Sequence, residues 1–138
     1  MAQDVRWIQR LQHFERALGR LNEALESEPA ELSELEMEGV VQRFEYTFEL
    51  AWKCLKDYLV WSGQDLIERT PRHVIKVGAS VGIVEDGQTW IDMLERRNLL
   101  SHTYNEEMFE AAVVDLRDQF GHALRQLARF LAERRDDP

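Results

Sequence analysis

Apolar residues recur three and four positions apart through almost all of this 138-residue chain, and a period of 3.6 rather than 2 commits it to helices. Trp7, Ile8, Leu11, Phe14, Leu18, Leu21 and Leu25 make one stripe of a long amphipathic helix. Pro29, within Ser27-Glu28-Pro29-Ala30, cannot extend the hydrogen-bond ladder and breaks it. A second helix is predicted from near Ser33, where Ser33 and Glu36 have capping-box spacing. It continues through Val40, Val41, Phe44, Phe48, Ala51, Trp52, Leu55 and Leu59 to about Trp61. Thr70-Pro71 reads as an N-cap with Pro in the first helical position, opening a shorter helix through Val74, Ile75 and Val77. Gly78 and Gly82 weaken its end. Asp86-Gly87 marks the next turn, and Trp90, Ile91, Leu94 and Leu99 supply the apolar side of a fourth helix. Asn105 with Glu106 and Glu107 starts the last one, which runs through Phe109, Val113, Leu116, Phe120, Leu124, Leu127 and Leu131.

Strand-like alternation is absent from the sequence. The expected fold is all-α: three long and two short helices packed as an antiparallel up-and-down bundle. Residues 1–132 form a single domain, and the tail 133–138 is expected to fray. The length suffices to bury a real core. A composition of 44% hydrophobic and 31% charged residues is that of a soluble globular chain, and no apolar run is long enough to span a bilayer. The first seven residues lack the basic-then-apolar profile of a secretory signal. Cys54 is the only cysteine, so no internal disulfide can form, and a reducing cytoplasm is the simplest home. Its apolar helical setting marks it as buried filler.

Net charge is −9. That balance disfavours broad binding to nucleic acid, which needs Lys and Arg to displace counterions. It favours protein partners with a basic face and leaves room for a local basic pocket.

Against this ordinary background, Arg97-Asn98-Leu99-Leu100-Ser101-His102-Thr103-Tyr104 gathers a guanidinium, a carboxamide, an imidazole and a phenol within two helical turns. Arg97 and Tyr104 are seven apart and share a face of a continuing helix, while Asn98 and His102, four apart, share another. Arg97 and His102 converge only if the helix ends or distorts near Ser101, where Ser101, Thr103 and Asn105 favour local backbone hydrogen bonds. An Arg held close to a His can bind a phosphodiester and move a proton on it. The plainer alternative is that Arg96 and Arg97 are solvated and paired to Glu95 or Asp92, with His102 and Tyr104 packed at a helix end. A second unusual stretch, from Arg43 to Lys53, is aromatic on more than one face, as suits a central helix or one shared between core and subunit interface. Its Glu45 and Glu49 are candidates to meet Arg97, because a buried carboxylate needs a partner. Trp7, Trp61 and Trp90 read as core or interface anchors. No metal is expected. His13, His73, His102 and His122 lie far apart, and neither a metal-binding spacing nor a phosphate-binding glycine loop occurs.

Several phrases together resemble the nucleotidyltransferase substrate-binding protein family. They are Arg43 to Lys53, Thr70-Pro71-Arg72-His73-Val74-Ile75-Lys76, Glu85-Asp86-Gly87 and Arg97 to Glu106, and the likeness extends from about Trp7 to about Phe130. The family belongs to the HEPN group of helical bundles and is related to HepT-like toxins. The resemblance implies a homodimer, and association with a minimal nucleotidyltransferase encoded nearby. It also implies an RNA or nucleotide ligand and no cofactor. Arg97 and His102 match the HEPN hallmark of Arg, four to six residues, then His, and Tyr104 completes the Arg-x4-His-x-Tyr form. In the toxin-like relatives the Arg and His carry metal-independent RNA cleavage across the dimer interface, and the partner enzyme adenylylates the Tyr. On that implication Arg97 holds the phosphate, His102 is the general acid or base and Tyr104 is the modification target; the residue spacing adds Asn98, Glu45 and Glu49 as supporting residues of the site. Two functions follow as expectations: a binding subunit for a nucleotidyltransferase, or an RNA endonuclease silenced through Tyr104.

Overall fold

Ser33 and Glu36 form the reciprocal cap that their spacing predicts. The Ser33 amide donates to Glu36 Oε1 at 2.9 Å and the Glu36 amide to Ser33 Oγ at 3.1 Å. In the computed structural model, which describes residues 5–102 and 105–137, this cap opens α2 (Glu34–Trp61). It follows α1 (Val5–Ala24) and a 3-10 turn (Pro29–Glu31). Thr70 accepts from the His73 amide at 3.4 Å and, with Pro71, starts α3 (Pro71–Ser80). Asp86 accepts from the Thr89 amide and hydroxyl at 3.1 and 2.7 Å, fixing the first turn of α4 (Gly87–His102). Those hydrogen bonds hold the Asp86 carboxyl below its ordinary range. Asn105 caps α5 (Glu106–Asp115), accepting from Glu107 and Met108 amides.

A π-helical turn (Leu116–Phe120) joins α5 without a break to α6 (Gly121–Asp136), so the three form one rod and the bundle has three long and two short helices. The π turn is a departure from the regular last helix the sequence suggests. Gly121 permits it: its amide bonds back to the Leu116 carbonyl, and a Cβ there would lie 2.8 Å from that oxygen. The rod also reaches beyond the predicted frayed boundary, to Asp136, with Arg135 Nη1 on Glu15 Oε1 of α1 at 2.6 Å.

The apolar stripes meet as expected. Trp7, Leu11, Phe14, Leu18 and Leu21 of α1 face Phe44, Phe48, Leu55 and Leu59 of α2, with Leu116, Leu124, Leu127 and Leu131 closing the core from the rod. Trp7 stacks edge-on against Tyr58 at 5.0 Å, which places the start of α1 beside the end of α2 and makes that pair antiparallel. Asn22 with Arg125, and Glu15 with Arg135, make α1 and α6 antiparallel too. α3 and α4 form a hairpin laid over α2. Gly78 brings α3 close, since a Cβ there would meet Leu55 at 3.0 Å, and Gly82, at φ 85°, turns the chain back toward α4. Trp90 is fully buried, whereas Leu99 is 50% exposed and Leu100 takes the inward place. Nine residues from Trp90 carry Leu99 about 180° around the helix, so it cannot share that apolar side.

Candidate functional site: the end of α4 against α2

Phe48, in the middle of α2, is touched twice by α4. Trp90 stands 6.0 Å from its ring and Arg97 Cζ 5.6 Å from it. Those two residues are seven apart and share a helix face, which aims Arg97 at α2. There its Nη1 donates to Glu49 Oε2 at 2.5 Å. Lys53 Nζ, one turn further along α2, lies 3.3 Å from the other Glu49 oxygen. Glu45 lies half-buried one turn before Glu49, and burial pushes its carboxyl above the ordinary range while the positive charge of Arg97 pulls against that shift. Arg97 Nε donates to Asn98 Oδ1 at 3.2 Å. Arg97, Glu45, Glu49 and Asn98 therefore form one cluster over an aromatic ring.

His102 is not part of it. The helix does not distort at Ser101: the Ser101 hydroxyl donates to the Arg97 carbonyl at 3.0 Å and α4 runs on through His102, its last residue. Five residues of regular helix rotate His102 about 140° from Arg97, and it stands exposed. Tyr104 lies outside the described residues. The alternative pairings are replaced as well. Arg96 Nη2 reaches Asp115 Oδ2 at 2.5 Å and stacks 5.6 Å from the Phe120 ring, while Glu95 lies 3.8 Å from Arg72 and Asp92 accepts from Gln88 at 2.9 Å. Among the described residues no group of three or more His, Cys, Asp or Glu is placed to hold a metal ion.

Residues 9–133 match the family described as "Nucleotidyltransferase substrate binding protein like". The chain belongs to that family. A crystal structure from Thermus thermophilus is 34% identical, with a TM-score of 0.75 over 85% of this chain and 98% of that one. The Haemophilus influenzae structure described as revealing "the fold of a substrate binding domain of a nucleotidyltransferase" superposes with a TM-score of 0.74. It is 22% identical and covers 88% of this chain and 98% of that one, and so bears on the fold. The "Probable ribonuclease HepT" of Haemophilus influenzae is 26% identical over 97 residues, 66% of this chain. The match spans 64% of that curated relative's own length. The family resemblance and the all-helical architecture read from the sequence are both borne out, and no helix of the described residues is long and apolar enough to cross a membrane.

One feature of this family member escaped the sequence reading. His13, Arg16 and Arg20 of α1 face Gln42, Arg43 and Tyr46 of α2 across an open groove of about 520 Å³. The signal was present in the sequence. His13, Arg16 and Arg20 stand three and four apart on one helix face, and no residue lining the groove is acidic.

Proposed function

We propose that the chain is a non-catalytic, or weakly catalytic, subunit that dimerises and associates with a minimal nucleotidyltransferase, presenting an RNA or nucleotide ligand to it. The observation that carries this reading is the disposition of Arg97. Its charge is met by Glu49 at 2.5 Å, and His102 leaves α4 on another side, so one protomer does not assemble an Arg–His acid–base pair by itself. The family match over residues 9–133 supports the partnership. Co-expression with the neighbouring nucleotidyltransferase followed by size-exclusion chromatography tests it. A joint peak containing both chains is expected, and separate elution at micromolar concentrations overturns the pairing.

The similarity to a probable ribonuclease HepT favours a second reading. In it the chain is an RNA endonuclease in which Arg97 of one protomer and His102 of another act on the same phosphodiester. Arg97 offers its planar fork to the phosphate, and His102 takes the proton of the 2′-hydroxyl as that oxygen bonds to phosphorus and the bond to the 5′-oxygen breaks, the leaving oxygen taking a proton from water. The partner's adenylylation of Tyr104 would add a bulky anion and silence the site. Expression of the chain alone distinguishes the readings: growth arrest relieved by His102→Ala supports the ribonuclease, and unimpaired growth supports the binding subunit. Mass measurement after incubation with the partner and ATP tests the modification, for which an added AMP on Tyr104 is the expected product.

A further inference from the structure

The groove between α1 and α2 concentrates positive charge on a chain whose net charge is −9. Ion pairs among the described residues occupy several arginines elsewhere on the bundle: Arg10 pairs with Asp57, Arg72 with Glu95, Arg96 with Asp115, Arg97 with Glu49, Arg117 with Glu28 and Arg135 with Glu15. Arg16, Arg20 and Arg43 make no ion pair among the described residues, although all three line the groove. Arg43 is held in place without a carboxylate. Its Nη1 donates to the Arg20 carbonyl at 2.8 Å, and its own carbonyl accepts from the buried Thr47 hydroxyl at 2.6 Å. Beside it Tyr46 is 62% exposed, an aromatic face left to solvent next to three guanidiniums. Gly39 keeps the α2 wall low, since a Cβ there would meet no atom within 4 Å.

We propose that this groove is a nucleotide site, with the triphosphate of a free nucleoside triphosphate on Arg16, Arg20 and Arg43 and its base stacked on Tyr46. Three guanidiniums without a carboxylate partner in one cleft match the negative charge and planar geometry of a polyphosphate. An exposed phenol ring accepts a base face without reading its identity. A volume of about 520 Å³ suits a mononucleotide. The proposal deepens the proposed function by seating the nucleotide on this chain, away from Arg97 and His102. Association with a nucleotidyltransferase is measured separately, so either reading can fail alone.

The test is titration calorimetry on the full chain in low salt, with ATP, AMP, inorganic tripolyphosphate, a short single-stranded oligonucleotide and a poly-glutamate peptide. ATP is expected to bind at least tenfold more tightly than AMP, and to weaken as salt rises. Arg16→Ala with Arg43→Ala should abolish the preference of ATP over AMP. Tyr46→Ala should weaken both nucleotides about tenfold, the scale of one lost stacking contact, and leave tripolyphosphate unchanged. Gly39→Trp should block all of them with helicity intact, and His102→Ala should change none. Absence of ATP binding at millimolar concentration, or binding indifferent to the arginine substitutions, overturns the proposal. So does a poly-glutamate peptide that binds as tightly as ATP, because charge alone would then be read. Tighter binding of the oligonucleotide than of ATP overturns the free-nucleotide assignment in favour of a strand.

Discussion

Arg97 of α4 and Glu49 of α2 join at 2.5 Å directly beside the buried Phe48 ring, on which the guanidinium also rests at 5.6 Å. The contact ties the end of the α3–α4 hairpin to the central helix. It also decides what Arg97 is free to do. An anion approaching this guanidinium must compete with a carboxylate already in place, and the chemistry expected of Arg97 is available only when Glu49 yields or a second protomer rearranges the pair.

The strength of that pairing is measurable. Both side chains retain solvent access, 22% for Arg97 and 35% for Glu49, so a double-mutant cycle of Arg97→Ala and Glu49→Ala in urea should give a coupling of about 0.5–1 kcal/mol. The cation–π contact with Phe48 adds to the Arg97→Ala cost without entering the cycle. Glu49→Gln should also weaken the hold on Arg97 and, if the ribonuclease reading is right, raise cleavage. A coupling of zero means that the pair does not persist in solution.

His102 is exposed at the end of α4, about 140° around the helix from Arg97. Replacing it with Ala should change stability by less than about 0.5 kcal/mol, as for an ordinary surface substitution. The melting temperature checks this. Loss of toxicity or RNA cleavage in His102→Ala at unchanged melting temperature would therefore report chemistry, not folding.

Much of this architecture was legible in residue spacing, for physical reasons that differ by element. Ser33 with Glu36 and Thr70 with Pro71 are short-range devices whose partners lie within three residues, so a sequence displays them whole. The core stripe of α1 is likewise a local periodicity. Arg97 and Glu49, in contrast, are 48 residues apart. Sequence reasoning could say that Arg97 wants a carboxylate, and could name Glu45 and Glu49 as candidates, but the choice between them depends on where α4 lies over α2. The π turn was hidden because Leu116 and Phe120 keep the apolar spacing of a regular helix, and only Gly121 hints at the close carbonyl. The α1–α2 groove was hidden for a similar reason: Arg16 and Arg20 look like a solvated face until Arg43 arrives opposite them.

Cys54 offers a sharp check on the core. Its side chain is buried, and its thiol donates to the Trp7 carbonyl at 3.5 Å. Burial, reinforced by the negative charge of Asp57, pushes its pKa up to about 12. At pH 8 only about one thiol in ten thousand is then ionised, and the thiolate is the reactive form. Native protein should not react with a thiol reagent over an hour, while urea-unfolded protein should label one thiol completely. Rapid native labelling would show that the start of α1 opens away from α2.

Gln126 is one of the buried polar side chains among the described residues, at 8% exposure, and clasps the loop before α4. Its amide donates to the Ile83 carbonyl at 2.9 Å, and its carbonyl accepts from the Glu85 amide at 3.2 Å. Gln126→Leu keeps the volume but leaves both backbone groups without their partner, which should cost about 2 kcal/mol. The accompanying sign is local: hydrogen exchange at the Glu85 amide should accelerate more than exchange in α2.

Glu45 sets a pH dependence of stability whose sign follows from its environment. Burial raises its carboxyl pKa above the ordinary value, with Arg97 opposing. Between the ordinary and the raised pKa the folded chain holds more protons at this site than the unfolded chain, so the site's contribution to stability is fully present below that window and lost as pH rises through it. Glu45→Gln removes the titration. The variant's melting temperature relative to that of the parent should therefore be higher at pH 7 than at pH 3.5. Taking this difference between the two proteins cancels the other carboxylates. An equal difference at the two pH values would mean that Glu45 is as solvated in the fold as in the unfolded chain. A reversed difference would mean that Arg97 outweighs burial and is shared between Glu45 and Glu49.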